Sequence, residues 1–330
     1  MSLGGDMYLA ITIDVEEDNW SNYDSDPVMS NIGKLSELQN LFDKYHVKPT
    51  YLITYPVATD MKSVSLLREI MEDGRCEIGA HVHPWNTPPF EEEMSVKNTM
   101  LFNLKRDLQY KKIESLHEII RRNFEVEPVT FRAGRWGFDQ TVAENMFKIG
   151  YKVDCSVSPY VNWQSYHGPD FSNWTPGIQR LYLGKKEHDQ FLLEIPATIG
   201  FLQPNFKFCN RMFNTISNSS LKYFRMIGVL DKLKMLNKVW LSPEMSDGVE
   251  MIKLANSIKR EGYVLLNMFF HSSSLKAGLT PFTKSVEDEN IIMKRIEDFL
   301  KNMTINNVKS VTLREYGLSI HEKANKAGIQ

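Results

Sequence analysis

Cysteine is scarce in this sequence. Cys76, Cys155 and Cys209 are the only three in 330 residues, with no C-x-x-C spacing. That excludes a disulfide framework and a zinc knuckle, and it suits a reducing compartment. Long hydrophobic runs are missing too. With no stretch of 18 apolar residues, no membrane-spanning segment is expected, and the opening residues lack the basic segment and apolar run of a signal peptide. The expected localisation is cytoplasmic. No charge of one sign dominates: 39 basic residues stand against 41 acidic ones, for a net charge of −2. No basic run stands out, so nucleic acid is not an expected partner. There is no internal repeat and no low-complexity tract, and disordered, collagen-like and coiled-coil classes fall away.

What is present is ordinary soluble material, 42% hydrophobic, 24% charged and 11% aromatic, enough for one large core. Met1-Ser2-Leu3-Gly4-Gly5 reads as a vector-derived leader, which sets residues 1–6 apart and makes Met7 the expected native start. Residues 7–330 are expected to form a single barrel domain.

The chain alternates strand and helix signals. Tyr8 to Asp14 (YLAITID) is a buried strand ending in acids, and Gly33 to Tyr45 carries Leu35, Leu38, Leu41 and Phe42 at helical spacing. Strands follow at Pro49–Tyr55, Cys76–Val82 and Pro128–Ala133, with a shorter one near Val153–Ser156. Helices are predicted over Leu66–Met71, from Glu91 to about Asn123, and over Gln140–Ile149 with Gly150 as its stop. Residues 157–187 lack periodicity and read as a long functional loop. After a strand at Gln190–Pro196 and an irregular insertion over 197–240 come a helix (Met245–Gly262), a strand (Tyr263–Phe270), a helix (Glu287–Met303) and a last strand (Val308–Leu313). Such alternation implies one parallel sheet of seven or eight strands, an α/β fold most simply closed as a barrel.

In such a barrel the chemistry gathers at the C-terminal ends of the strands. Those ends carry Asp14 and Glu16, His81 and His83, Arg132 with Gly134 and Trp136, Asp154, and His271. Residues two apart on an extended backbone share a face, so Asp14 pairs with Glu16 and His81 with His83. Two imidazoles and a carboxylate on one rim would hold Zn²⁺, or Fe²⁺ and Co²⁺ less selectively, with positions left open. An H-x-H pair can also simply hydrogen-bond a loop, but the carboxylates beside it and a separate strand-end His271 favour the metal. Arg132 is expected to pair with Asp14 and keep it ionised. Trp85 and Trp136 either fill the core or line a groove. His46, His117, His167, His188 and His321 read as solvated, with His167 and His188 flanking the long loop.

These residues resemble the polysaccharide deacetylases of carbohydrate esterase family 4, which share the NodB homology domain. Five ordered motifs carry the resemblance: Thr12-Ile13-Asp14-Val15-Glu16, Gly79-Ala80-His81, Arg132 to Gly137, Asp154, and Phe270-His271. The resemblance implies a distorted (β/α) barrel with Asp14 as general base and Glu16 and His81 as metal ligands. Arg132 would hold the base, an aromatic would line the sugar groove, Asp154 would sit at the fourth motif's acidic position, and His271 would be the general acid. The usual pattern has adjacent acids and histidines four apart. Here Val15 separates the acids and Trp85 stands where the second histidine would, so the chain is similar to a D-V-E / H-x-H-P-W branch with His83 as the replacement ligand.

The implied activity is a divalent-metal-dependent hydrolase, with Zn the expected cofactor, that removes an N-acetyl group from a glycan or sugar-containing intermediate. Trp85, Trp136 and Asp154 are the expected substrate contacts. The competing expectations are hydrolysis of a non-sugar C–N bond without obligatory metal, and a catalytically silent glycan-binding domain. Tyr160, Trp163, Tyr166 and Trp174 are expected either to roof one or two sugar rings or to pin their loop to the barrel.

Overall fold

A computed structural model describes residues 6–18, 23, 26–183, 191–219 and 226–328. Strand β1 (Tyr8–Val15) is apolar almost throughout because it is buried on both faces, as in parallel sheets covered by helices. The chain continues through α1 (Leu35–Lys44), β2 (Thr50–Ile53), α2 (Tyr55–Thr59), α3 (Met61–Met71), β3 (Glu77–Val82), α4 (Arg106–Phe124), β4 (Thr130–Ala133), α5 (Gln140–Ile149) and β5 (Val153–Asp154). An edge pair follows, β6 (Gln179–Tyr182) and β7 (Phe191–Glu194), and then a ribbon of β8 (Ile199–Phe201) and β9 (Lys238–Trp240) that encloses α6 (Phe206–Ser217) and α7 (Met226–Lys232). The remaining elements are α8 (Gly248–Arg260), β10 (Leu265–His271), α9 (Val286–Ile305), β11 (Lys309–Ser310) and α10 (Leu313–Gly328).

The strand order is β10-β1-β2-β3-β4-β5-β7-β6, with β11 also on β1, and β6 is the antiparallel member among the described residues. The parallel strands therefore number the expected seven or eight. The sheet curls but does not close by a ladder between β7 and β10. Pro196, two residues past the end of β7, has no N–H to donate, and the gap is crossed by isolated bonds, among them Thr198 N to Asn267 O (3.0 Å) and Asn267 Nδ2 to Ile195 O (3.2 Å).

Local chemistry explains the helix starts. Asp60, Asp139, Asp247 and Ser285 accept from backbone N–H groups in the first turns of α3, α5, α8 and α9, each such cap stabilising its helix by about 1 kcal/mol. Helix α5 runs exactly over the predicted residues, and Gly150 ends it at φ 120°. Three expectations fail. The helix predicted from Glu91 begins only at Arg106, because Asn98 and Asn103 turn their amides onto the carbonyls of Glu93 and Lys97 and offer that segment a non-helical alternative. The strand predicted over Val308–Leu313 shrinks to Lys309–Ser310, since Thr312 and Glu315 form a reciprocal cap that turns the chain into α10. The loop over 157–187 contains β6, paired along β7. Residues 1–5 of the leader, 184–187 of that loop, His188 and Gln190 lie outside the described residues.

Candidate active site

The register of the sheet assembles the site. Asp14 at the end of β1 stands beside His271 at the end of β10, and His81 in β3 stands beside Arg132 in β4. Curling brings these pairs together. Glu16 Oε1 lies 2.9 Å from Nε2 of both His81 and His83, while Asp14 Oδ2 is 3.9 Å from His81 Nε2 and 3.8 Å from His271 Nε2.

Arg132 fills the space inside the curl and is 1% exposed. Its guanidinium donates to Asp14 Oδ1 at 2.6 Å, Thr12 Oγ1 at 2.7 Å and Cys155 O at 3.0 Å. Thr12 in turn lies 3.1 Å from Asn267 Oδ1, so one polar chain runs from Arg132 to the seam between β7 and β10. Burial pushes the Asp14 carboxyl up, but the charge of Arg132, helped by His81 and His271, outweighs it and holds Asp14 below its ordinary value. With Oδ1 occupied, Oδ2 is the oxygen left facing the two imidazoles.

The donor set fits a divalent cation. Arg132 O can only accept, so His81 Nδ1, 3.0 Å away, carries a proton there and Nε2 is the nitrogen turned to the Glu16 carboxylate. Burial opposes charge on this imidazole, but Asp14 and Glu16 outweigh it and raise it above its ordinary value. The Nε2 proton so favoured stands where a cation would sit: a positive charge is called for between Nε2 and Oε1, 2.9 Å apart. Burial pushes Glu16 up, but His83 and His81 hold it well below its usual range, and burial keeps His83 below its own. An ionised carboxylate and a neutral imidazole are the ligating forms. His83 Nδ1 is buried without a partner and its ring lies on Gly134, where a Cβ would come within 2.2 Å. The glycine of the third motif is thus required by close approach.

Several groups hold this set in place. Ser272 Oγ accepts from Glu16 N (3.2 Å), and Asn31 donates to Glu16 O (2.9 Å). Lys112 of α4, fully buried, donates to Pro84 O at 2.8 Å and Thr87 O at 2.7 Å and pairs with Glu92, which fixes the turn after His83. Glu17 points away from the ligands, to Thr54 and Asn86.

Sequence reasoning missed Glu244. It follows β9 and accepts from His271 N at 3.0 Å, lies 3.1 Å from His271 Nδ1, and accepts from Ser274 Oγ. Burial would lower the His271 imidazole, but Glu244, with Glu16 and Asp14, carries it up to about 10. The one signal that pointed there was a polar Ser-Pro-Glu after an aromatic strand end, inside a stretch without periodicity.

Asp154 departs from its expected role. It is fully buried and binds Ser156, whose Oγ accepts from Ala133 N, so it supports the β4 loop and does not face a groove. Trp136 and Trp85 are both half-buried at the rim. Trp136 has the Arg132 guanidinium 5.5 Å over its ring, and it and Arg135 sit in left-handed backbone at φ 60° and 52°. Trp85 stacks on His83 at 4.1 Å and on Tyr23 at 4.7 Å. In the long loop, Tyr160 is buried between Phe201 and Phe206, and Trp174 packs on Phe171. Trp163, half-buried, donates from Nε1 to Ser158 Oγ at 2.7 Å and packs on Trp240, so these three pin the loop and Tyr166 alone of the four is exposed. His46 and His167 are exposed as expected. His117 is buried beside Glu127, and His321 stacks on Phe191, because α4 and α10 pack those faces inward.

No family model matches the chain, and no curated protein matches it. Among solved structures it is similar to one described as a candidate polysaccharide deacetylase from Mycobacterium smegmatis. That match has 14% identity and a TM-score of 0.56 over 98% of this chain and 93% of that one. It is also similar to the Puue allantoinase, at 9% identity and a TM-score of 0.51 over 97% and 92% of the two chains. The likeness establishes the fold: this chain is a curled, largely parallel (β/α) half-barrel of the polysaccharide deacetylase type.

Proposed function

We propose that on this fold the chain is a divalent-metal-assisted hydrolase that removes an N-acetyl group from a glycan or a small sugar-containing intermediate. The observation that carries the reading is Asp14, one oxygen tied to Arg132 and the other turned toward both His81 and His271. Glu16, His81 and His83 would hold the metal, their ligand atoms lying within 4.8 Å of one another. Bound there, a divalent cation would supply Lewis acidity toward a water and an amide oxygen, and zinc is the ion this N/O set suits best.

The chain's own residues then divide the proton work. Asp14 Oδ2 accepts a proton from the attacking water as its oxygen bonds to the acetyl carbon. His271, protonated and oriented by Glu244, gives its Nε2 proton to the amide nitrogen as the C–N bond breaks. Water and amide become acetate and free amine. Trp85 and Trp136, both half-buried at the rim, would give the sugar aromatic surface to pack on. Three buried cysteines free of disulfides support a reducing, cytoplasmic setting and a small intermediate as substrate.

The test is acetate release from N-acetylated mono- and disaccharide conjugates, with and without chelator. Chelation should abolish release and a divalent metal should restore it, and His81→Ala should lower metal affinity at least about tenfold. Asp14→Asn should reduce kcat by roughly 10² or more with metal still bound, since general base terms have that size. Release that survives chelation, or hydrolysis confined to non-sugar amides, overturns the reading. Loss of metal from Asp14→Asn would make Asp14 a ligand in place of the base.

A further inference from the structure

The insertion between β8 and β9 presents an unusual surface. Helix α7 has no fully buried residue, and around it and on the outer face of α6, Leu233 is 62% exposed, Met235 60% and Phe208 54%. Leu233 and Met235 stand two positions apart, and exposed apolar side chains of this size mark a surface that something else covers. Cations accompany them: Lys207 and Arg211 share the outer face of α6 with Phe208, and Lys232 and Lys234 flank Leu233, all four exposed. Two acids stand nearby and are engaged: Asp231 accepts from Asn237 Nδ2 at 2.7 Å, and Glu261 accepts from Asn205 N at 2.7 Å and Phe206 N at 3.2 Å at the start of α6. Past α7 the chain closes in a tight turn with Lys234 in left-handed backbone at φ 56°, which sets Leu233 and Met235 at the tip of the projection.

We infer that this face docks on an anionic lipid surface, with Phe208, Leu233 and Met235 entering the headgroup boundary and the four cations lying among the phosphates. Apolar groups ringed by Lys and Arg are the composition that interfacial helices use, and charge complementarity selects anionic lipid over a neutral one. The chain as a whole carries a net charge of −2, so its attraction to such a surface comes from this patch and not from its overall charge. Docking here also bears on the site. From Asn237 the chain runs directly into β9, whose Trp240 packs against Phe269 at 5.9 Å, and then to Glu244, which holds His271. The docking segment and the Glu244 turn are thus neighbours along the chain, joined through β9, an arrangement suited to substrates presented from a membrane. The inference goes beyond the proposed chemistry and stands or falls without it.

The test is co-sedimentation of the full chain with phosphatidylcholine vesicles, with and without phosphatidylglycerol, at low and high salt. Binding is expected with phosphatidylglycerol, weakened by salt. Lys232→Glu with Lys234→Glu should lower the partition coefficient at least about tenfold, at roughly 1 kcal/mol per cation near the surface. Leu233→Ser with Met235→Ser should lower the binding that survives high salt, while Lys62→Glu with Lys301→Glu, exposed charges elsewhere, should change nothing. No binding to anionic vesicles, or equal losses from the control pair, overturns the proposal. So does a dimer in sedimentation equilibrium that the Leu233 and Met235 changes dissolve, since a second copy would then cover the face.

Discussion

His271 holds its proton across the neutral range because Glu244, Glu16 and Asp14 together outweigh the cost of burying a charge, and its value near 10 follows from that balance. A general acid must be protonated to act, so the alkaline limb of kcat/KM should fall in that region. Asp14, held below its ordinary value, must be ionised to act and places the acid limb low. Glu244→Gln removes the largest charge favouring the imidazolium, so the alkaline limb should move down toward the ordinary histidine range while the acid limb stays. A pH profile of the variant checks this, and an unmoved alkaline limb would separate Glu244 from the acid's titration. At this scale the sequence was informative where side chains hang on strands. Asp14, His81, Arg132 and His271 were legible because period two and the strand-end rule place them. Glu244 was not, because it belongs to a turn whose position depends on the β8–β9 ribbon, and no local pattern reports where a ribbon will fold back. Asp154 was found but misassigned: a strand-end acid looks alike whether it faces the groove or the layer behind it.

Strands β5 and β7 meet over a pair of buried acids. Asp154 and Glu194 are both fully buried and in hydrogen-bonding reach, and Glu194 Oε2 finds no donor. Two carboxylates so placed share a proton, which burial and the charge of Asp154 keep on Glu194, well above its usual value. Since the folded value is raised, the stability Glu194 contributes is complete below its ordinary value near 4.5 and is lost as pH climbs through the raised one. Glu194→Gln keeps a donor for Asp154 and an acceptor for Val157 N, now 3.2 Å from Glu194 Oε1, without a group that titrates. Thermal melting across pH should therefore show the variant losing less stability than the parent on the alkaline side. A parallel decline in both would remove the pair from the account. Elements with strong apolar periodicity, such as β1, α1 and α5, were readable to within a residue or two. Helix α10 was not, although Thr312-Leu313-Arg314-Glu315 is a capping signature: the apolar Val308, Val311 and Leu313 spoke for a strand, and the helix that follows carries a glycine, Gly317, in its second turn. That glycine is there for packing, since a Cβ on it would meet Val153 Cγ2 at 2.2 Å.

Across the whole molecule, strand and helix alternation implied a parallel sheet, and Pro196, with no N–H to donate, stands at the seam where β7 and β10 do not pair. The same topology places β1 second from one end of the sheet, hydrogen-bonded to β2, β10 and β11. Its partner in β10 is remote in the chain: Thr12 and Asn267 are 255 positions apart. Until those late residues arrive, a strand whose buried stretch runs from Leu9 to Val15 has one open edge. Closing so long a loop precedes any return from the contacts it makes, so refolding from denaturant should be slow, on a scale of milliseconds to seconds or longer, and its yield should drop as protein concentration rises. Stopped-flow refolding and recovery across a dilution series measure both, and fast refolding with concentration-independent yield would show that β1 waits in a protected form. Asp14, the proposed base, thus lies on the first strand of the chain and waits on residues near its other end to be enclosed. Newly made chains must keep that strand from pairing with one another for as long as it takes the other end of the protein to arrive.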